Sequence, residues 1–121
     1  MAEYLPVNTP GQALVSTASA SIVGGQLLAV SGSGTVAPAG AATQAWVGVA
    51  AFDTASGDLV TVFAGGVQEL VASGAITAGA AVVSGAAGTV ASSATPAAAT
   101  QVGVALTTAA DGAKVRVKLA R

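Results

Sequence analysis

The chain has no cysteine and no histidine among its 121 residues. The first absence excludes disulfides, thiolate metal sites and cysteine nucleophiles. The second removes Ser-His-Asp and Cys-His arrangements and the common zinc sites that contain histidine. Charge is scarce too: 7% of residues are charged and the net charge is −1, where an ordinary soluble domain carries about 25%. The carboxylates are Glu3, Asp53, Asp58, Glu69 and Asp111, and the cations are Lys114, Arg116, Lys118 and Arg121. This set predicts neither an enzyme nor a cofactor. Aromatic residues make up 3% of the chain, so the core must be built from small side chains, chiefly Ala and Val.

A mean hydropathy of +0.76 and two long charge-free stretches raise the question of a membrane span. A spanning helix needs about 20 predominantly apolar residues, and Gly, Ser, Thr, Gln and Pro interrupt every such window here. The segment from Gly74 to Ala91 comes nearest, but its apolar content is mostly Ala. Membrane insertion is not expected. The start, Met1-Ala2-Glu3-Tyr4-Leu5-Pro6, lacks a basic region followed by an apolar core, so synthesis in the cytoplasm without a secretory signal is expected.

What the chain does contain is a repeat. Ile22-Val23-Gly24-Gly25 and Gly34-Thr35-Val36-Ala37 return as Ile76-Thr77-Ala78-Gly79 and Gly88-Thr89-Val90-Ala91. One residue of drift later, Val47-Gly48-Val49-Ala50 returns as Val102-Gly103-Val104-Ala105, and Gly57 as Gly112. Two copies are too few for a solenoid. They predict one small domain over 12–121, with repeat units near 20–66 and 74–120, preceded by an N-terminal arm over 1–11.

Alternating patterns predict strands at Gln12 to Thr17, Gln26 to Ser31, Trp46 to Asp53, Leu59 to Phe63, Val67 to Val71, Val102 to Thr107 and Lys114 to Leu119. Weaker strands are expected at Ala80 to Val83 and Thr89 to Ala91, and a loop from Ala91 to Thr100, where Ser92, Ser93, Thr95 and Pro96 oppose a helix. Short strands divided by Gly-rich and Asp-Gly turns predict an all-β fold, a small barrel, β-tulip-like domain or sandwich. The Gly clusters match no phosphate-binding motif, because Gly32-Ser33-Gly34 leads into a strand rather than a helix. Asp53 and Asp58 flank a six-residue loop, but two carboxylates fall short of the six to eight oxygens that calcium takes. Turn capping is the expected role, and no metal site is predicted.

Strict alternation puts Lys114, Arg116 and Lys118 on one face of the last strand, read as a solvent-facing basic strand that discourages edge-to-edge pairing. An acidic partner is the sharper alternative. Nucleic-acid binding is not expected, since the chain has four cations, a negative net charge and no aromatic residue interleaved with those cations. The repeat also permits an internal comparison. Val47, Val49, Val60 and Val62 align with Val102, Val104, Val115 and Val117 as the shared core. The opposite faces carry Trp46, Phe52, Leu59 and Phe63 in the first copy, where the second has Gln101, Thr107, Lys114 and Lys118. The apolar set predicts a subunit or shell interface. The competing explanation is that the first copy is sandwiched within the monomer.

Several segments together resemble a known family: the arm with Tyr4-Leu5-Pro6 and Thr9-Pro10-Gly11, then Val23-Gly24-Gly25-Gln26-Leu27, Val47-Gly48-Val49-Ala50-Ala51-Phe52-Asp53, Gly57-Asp58-Leu59-Val60-Thr61-Val62, Gly66-Val67-Gln68-Glu69-Leu70, Ala75-Ile76-Thr77-Ala78-Gly79 and Val102-Gly103-Val104-Ala105-Leu106. In this order they resemble the head decoration, or capsid cement, proteins of tailed bacteriophages. The resemblance implies a β-rich barrel or tulip-like domain that binds the outside of the assembled capsid, with the major capsid protein as partner. It also implies trimers at local three-fold positions and a place on the virion exterior. It brings no catalytic motif. Capsid contact is expected from the arm, Tyr4, Leu5, Pro6, Val7, Asn8, Thr9 and Pro10. A rival from another class is a carbohydrate-binding β module that stacks sugars on Trp46 and Phe52. A third, a small hydrolase using Asp53 and Asp58, lacks a means of raising one of the two pKa values.

Overall fold

The computed structural model describes residues 3–5, 7–8 and 11–121. Its strands are β1 (Leu14–Ala18), β2 (Leu27–Gly32), β3 (Thr35–Pro38), β4 (Trp46–Ala50), β5 (Leu59–Phe63), β6 (Val67–Val71), β7 (Ala81–Ser84), β8 (Val90–Ser92), β9 (Gln101–Ala105) and β10 (Lys114–Leu119). One 3₁₀ turn, Ala86–Gly88, lies between β7 and β8. The fold is all-β, as the alternation predicts. Two strands end earlier than expected: β4 stops at Ala50 and β9 at Ala105.

β1 to β5 form a closed barrel in the order β1-β3-β2-β4-β5, and β6 to β10 a sheet in the order β6-β10-β9-β7-β8. The second order is the first ring opened at one seam. In the barrel that seam is parallel, with Thr17 opposite Thr35 and Ala18 opposite Val36. In the second sheet it shrinks to one parallel bridge, Ala72 to Val90. Loop hydrogen bonds repeat as well. Gly25 N donates to the Ala50 carbonyl at 2.9 Å and Gly79 N to that of Ala105 at 2.7 Å. Gly57 N and Gly112 N donate to the Ala18 and Ala72 carbonyls at 2.7 and 2.8 Å.

The V-G-V-A segments have a steric reason. A Cβ on Gly48 would run into the Phe63 carbonyl oxygen, and one on Gly103 into that of Lys118. Only glycine lets the neighbouring strand approach so closely. Both segments also carry a bulge. Leu28 pairs with Gly48 and Ala29 with Trp46, which leaves Val47 unpaired; Val82 pairs with Gly103 and Val83 with Gln101, which leaves Val102 unpaired.

A bulge reverses the facing of everything beyond it, and this corrects the strict alternation read from the sequence. Val47 and Ala50 face the barrel interior together, with Ala18, Ile22, Leu28, Val36, Val60 and Val62. Their counterparts Val102 and Ala105 are likewise buried together. Val49 packs in the other core, against the second sheet, whereas its counterpart Val104 is exposed. Ala105, which strict alternation with the aligned Val104 would turn outward, is buried.

The second core joins both units. It contains Leu70, Val82, Val90, Val102, Val115 and Val117 from the second sheet, and Leu27, Ala29, Trp46 and Val49 from the outer side of β2 and β4. Those two strands are therefore buried on both faces, one toward each core, as a central wall requires. Each fully buried Val, Leu or Ile contributes about 1.5–3 kcal/mol, so the wall ties the units into one body. Polar groups reinforce it: the buried Ser84 hydroxyl accepts from Thr43 N at 3.0 Å, and Gly88 N donates to the Ala39 carbonyl at 2.9 Å.

Candidate interaction surface

Ionisable and hydroxyl groups give the molecule little to catalyse with. Asp53 accepts the Gly24 backbone N–H at 2.8 Å and Asp111 that of Gly74 at 2.7 Å, so both carboxylates cap loops. Among the described residues no three acidic groups gather as a metal site would require. An open groove of about 420 Å³ is lined by Gly79, Ala80, Ala81, Ser92, Ser93 and Ala94, with no ionisable side chain. The chemistry this molecule offers lies on its outer faces.

Trp46 leaves that surface. The sequence put it on the outward face with Phe52 and Phe63, but the bulge turns it inward and it is 1% exposed. Here the sandwiched explanation holds. The Arg121 guanidinium lies 4.3 Å from its ring centroid and donates to the Gln44 and Trp46 carbonyls at 2.7 and 3.0 Å. Cation–π attraction and two charge-assisted hydrogen bonds thus fasten the C-terminal residue to the first unit. The Trp46 indole N–H is buried without a hydrogen-bond partner among the described residues. A ring covered in this way cannot stack a sugar, which removes the platform of the carbohydrate-binding alternative. Sequence reasoning missed the clasp; its one available signal was that Arg121 stands apart from the alternating cations.

Phe52, Leu59 and Phe63 do lie outside, at 49%, 64% and 45% exposure. β5 pairs with β1 so that Val15 is opposite Thr61 and Thr17 opposite Leu59. Leu59, Thr61 and Phe63 therefore share the outer face of the β1–β5 pair with Val15 and Thr17, and no charged residue lies in either strand. Phe52 follows β4, where Ala51 N donates to the Thr61 carbonyl at 2.9 Å.

The matching face of β6 and β10 has the opposite chemistry. Lys114, Arg116 and Lys118 are exposed and oppose Val71, Glu69 and Val67. β10 is paired on both sides, with β6 and β9. The expected edge-protecting role of these cations is thereby corrected: β10 has no free edge to protect. In the arm, Tyr4, Leu5 and Val7 are exposed, and the Asn8 side-chain amide donates to the Ala13 carbonyl at 3.1 Å. Pro6, Thr9 and Pro10 lie outside the described residues.

A charge-poor barrel and sheet with apolar groups on the outside offer surfaces for contact, and comparison with known proteins gives the setting. The family model described as phage cement protein matches residues 8–119. The chain belongs to the phage cement protein family. It is a structural, capsid-associated protein. Among solved structures, the N base of the head fibre of bacteriophage phi29 is similar, with a TM-score of 0.73 and 22% identity over 90% of this chain and 93% of that one. At that identity the likeness speaks for the fold alone. Comparison with curated proteins finds no match. For a cement-family chain, the exposed arm and the uncharged β1–β5 face are the candidate contact surfaces.

Proposed function

We propose that this cement protein binds the outside of an assembled phage capsid, with the major capsid protein as partner, and stabilises the shell there without catalysing a reaction. The family match over residues 8–119 carries the reading. Its physical support is the distribution of exposed apolar groups. Tyr4, Leu5 and Val7 project from the arm, and Phe52, Leu59 and Phe63 from the first unit, in a chain with few charges to desolvate. A standard interface buries about 1,200–2,000 Å², and each apolar side chain buried adds about 1.5–3 kcal/mol, less the cost of ordering it. In the proposed assembly the protein is a trimer. Three arms engaging one shell raise the effective concentration of each, so modest single contacts sum to tight attachment. Synthesis in the host cytoplasm followed by residence on the virion exterior completes the proposal.

Undecorated shells test it directly. The full chain is expected to pellet with shells, and a variant lacking residues 2–10 to keep its fold while losing binding by about tenfold or more. Equal binding by the truncated chain would move the contact off the arm. Failure of the full chain to pellet would refute capsid binding altogether.

A further inference from the structure

We propose that the outer face of β6–β10 is a second contact surface, which docks a strip of carboxylates on the protein shell. The capsid reading supplies the carrier of that strip; its chemistry follows from this face alone. Three of the chain's four cations lie on one side of one strand, at Lys114, Arg116 and Lys118. Alternate residues of a strand are about 7 Å apart, so the three charges form a row about 14 Å long. None of the three side chains has an ion-pair or hydrogen-bond partner among the described residues; Arg116 is engaged through its backbone, its N–H donating to the Thr107 hydroxyl at 3.1 Å and its carbonyl accepting from Leu106 N at 2.7 Å. The fourth cation, Arg121, is already held by Trp46.

Two simpler accounts of the row fail on the structure. Protection of a sheet edge fails because β10 is paired on both sides. A general need for charge at these positions fails because the first unit fills the equivalent ones with Leu59, Thr61 and Phe63, equally outside, in a barrel that closes. The strand plan itself thus does not demand the row.

The partner's character follows from charge and neighbours. A second copy fits poorly: of this chain's five carboxylates, Asp53 and Asp111 already cap loops and Glu69 lies within the cationic face itself. Nucleic acid fits poorly as well. Val67 and Val71 stand opposite Lys118 and Lys114, where a base-binding face would place aromatics. Mixed cationic and aliphatic groups suit a protein strip that bears carboxylates beside apolar side chains.

The test compares the wild-type chain, the triple variant Lys114→Gln, Arg116→Gln, Lys118→Gln, and Glu69→Gln, each checked for its fold by thermal melting. Shell pelleting is measured between about 0.05 and 0.3 M salt, a range over which exposed ion pairs are progressively screened. The triple variant is expected to bind about tenfold more weakly at low salt and with less salt dependence, and Glu69→Gln to bind more tightly. Unchanged binding by a folded triple variant would overturn the proposal while leaving capsid binding intact. Should the triple variant not fold, Glu69→Gln decides, and no tightening counts against the proposal. A parallel arm uses an immobilised peptide of alternating Glu and Thr, and a DNA duplex. Retention of wild type on the peptide, lost in the triple variant, upholds the acidic-strip chemistry even if shells do not bind; stronger retention on DNA, or none on the peptide without shell binding, overturns it.

Discussion

The two halves of this molecule share one strand plan and put it to different uses. In the first unit the ring closes, its β2–β4 wall is buried on both sides, and its remaining outer face is uncharged. In the second the seam is held by a single bridge, the core borrows the wall of the first unit, and the outer face of β10 is cationic. Equivalent backbone positions thus carry Trp46 and Gln101, or Phe63 and Lys118, with no change of fold. What a barrel of this kind requires is confined to its interior and to its two close-approach glycines. The outer positions are free to be chosen by whatever covers them.

The sharpest test of that division is the pair Trp46→Ala and Gln101→Ala. Trp46 fills the junction between the units, so its truncation is expected to cost about 3–5 kcal/mol, whereas Gln101, half-buried at the equivalent place, should cost below about 1 kcal/mol. Chemical denaturation of both variants measures the difference. Equal costs would mean that the junction is not where the halves diverge.

A smaller effect, on association rather than folding, is expected from Phe63→Lys, which gives the first unit the residue of the second. The monomer should stay folded, since Lys118 occupies the equivalent position without harm. Oligomer or shell binding should weaken by about 2 kcal/mol or more if Phe63 anchors a contact. Light scattering and pelleting read this out; outright unfolding would assign Phe63 to the monomer's own stability.

Smallest is Arg121→Ala. It removes the clasp that the second unit closes over Trp46, and the equivalent residue after β5, Gly66, makes no such clasp. A loss of about 1 kcal/mol in thermal stability is expected from the cation–π contact and its hydrogen bonds. No loss would show that packing of Trp46 alone joins the halves.

Most strands were legible because each has one solvated face. β5 and β10 read in the sequence as they fold, with Val60 and Val62, or Val115 and Val117, alternating with exposed neighbours. β4 and β9 misled because one unpaired residue in each, Val47 and Val102, reverses the facing of what precedes it. A bulge leaves no compositional mark in a run of Val, Gly and Ala. Trp46 was misplaced for that reason, and the carbohydrate-binding alternative that rested on it was lost with it.

By itself the sequence determined the all-β character, the repeat and the poverty of catalytic groups. These depend on residue types and on their spacing along the chain, both of which are local. Only the tertiary structure decided that β2 and β4 form a wall shared by two cores, that β10 is an interior strand, and that Arg121 closes over Trp46. Each of these depends on which strands become neighbours across dozens of residues. Pairing of that kind is settled by the packing of whole faces, and no short stretch of the chain encodes it.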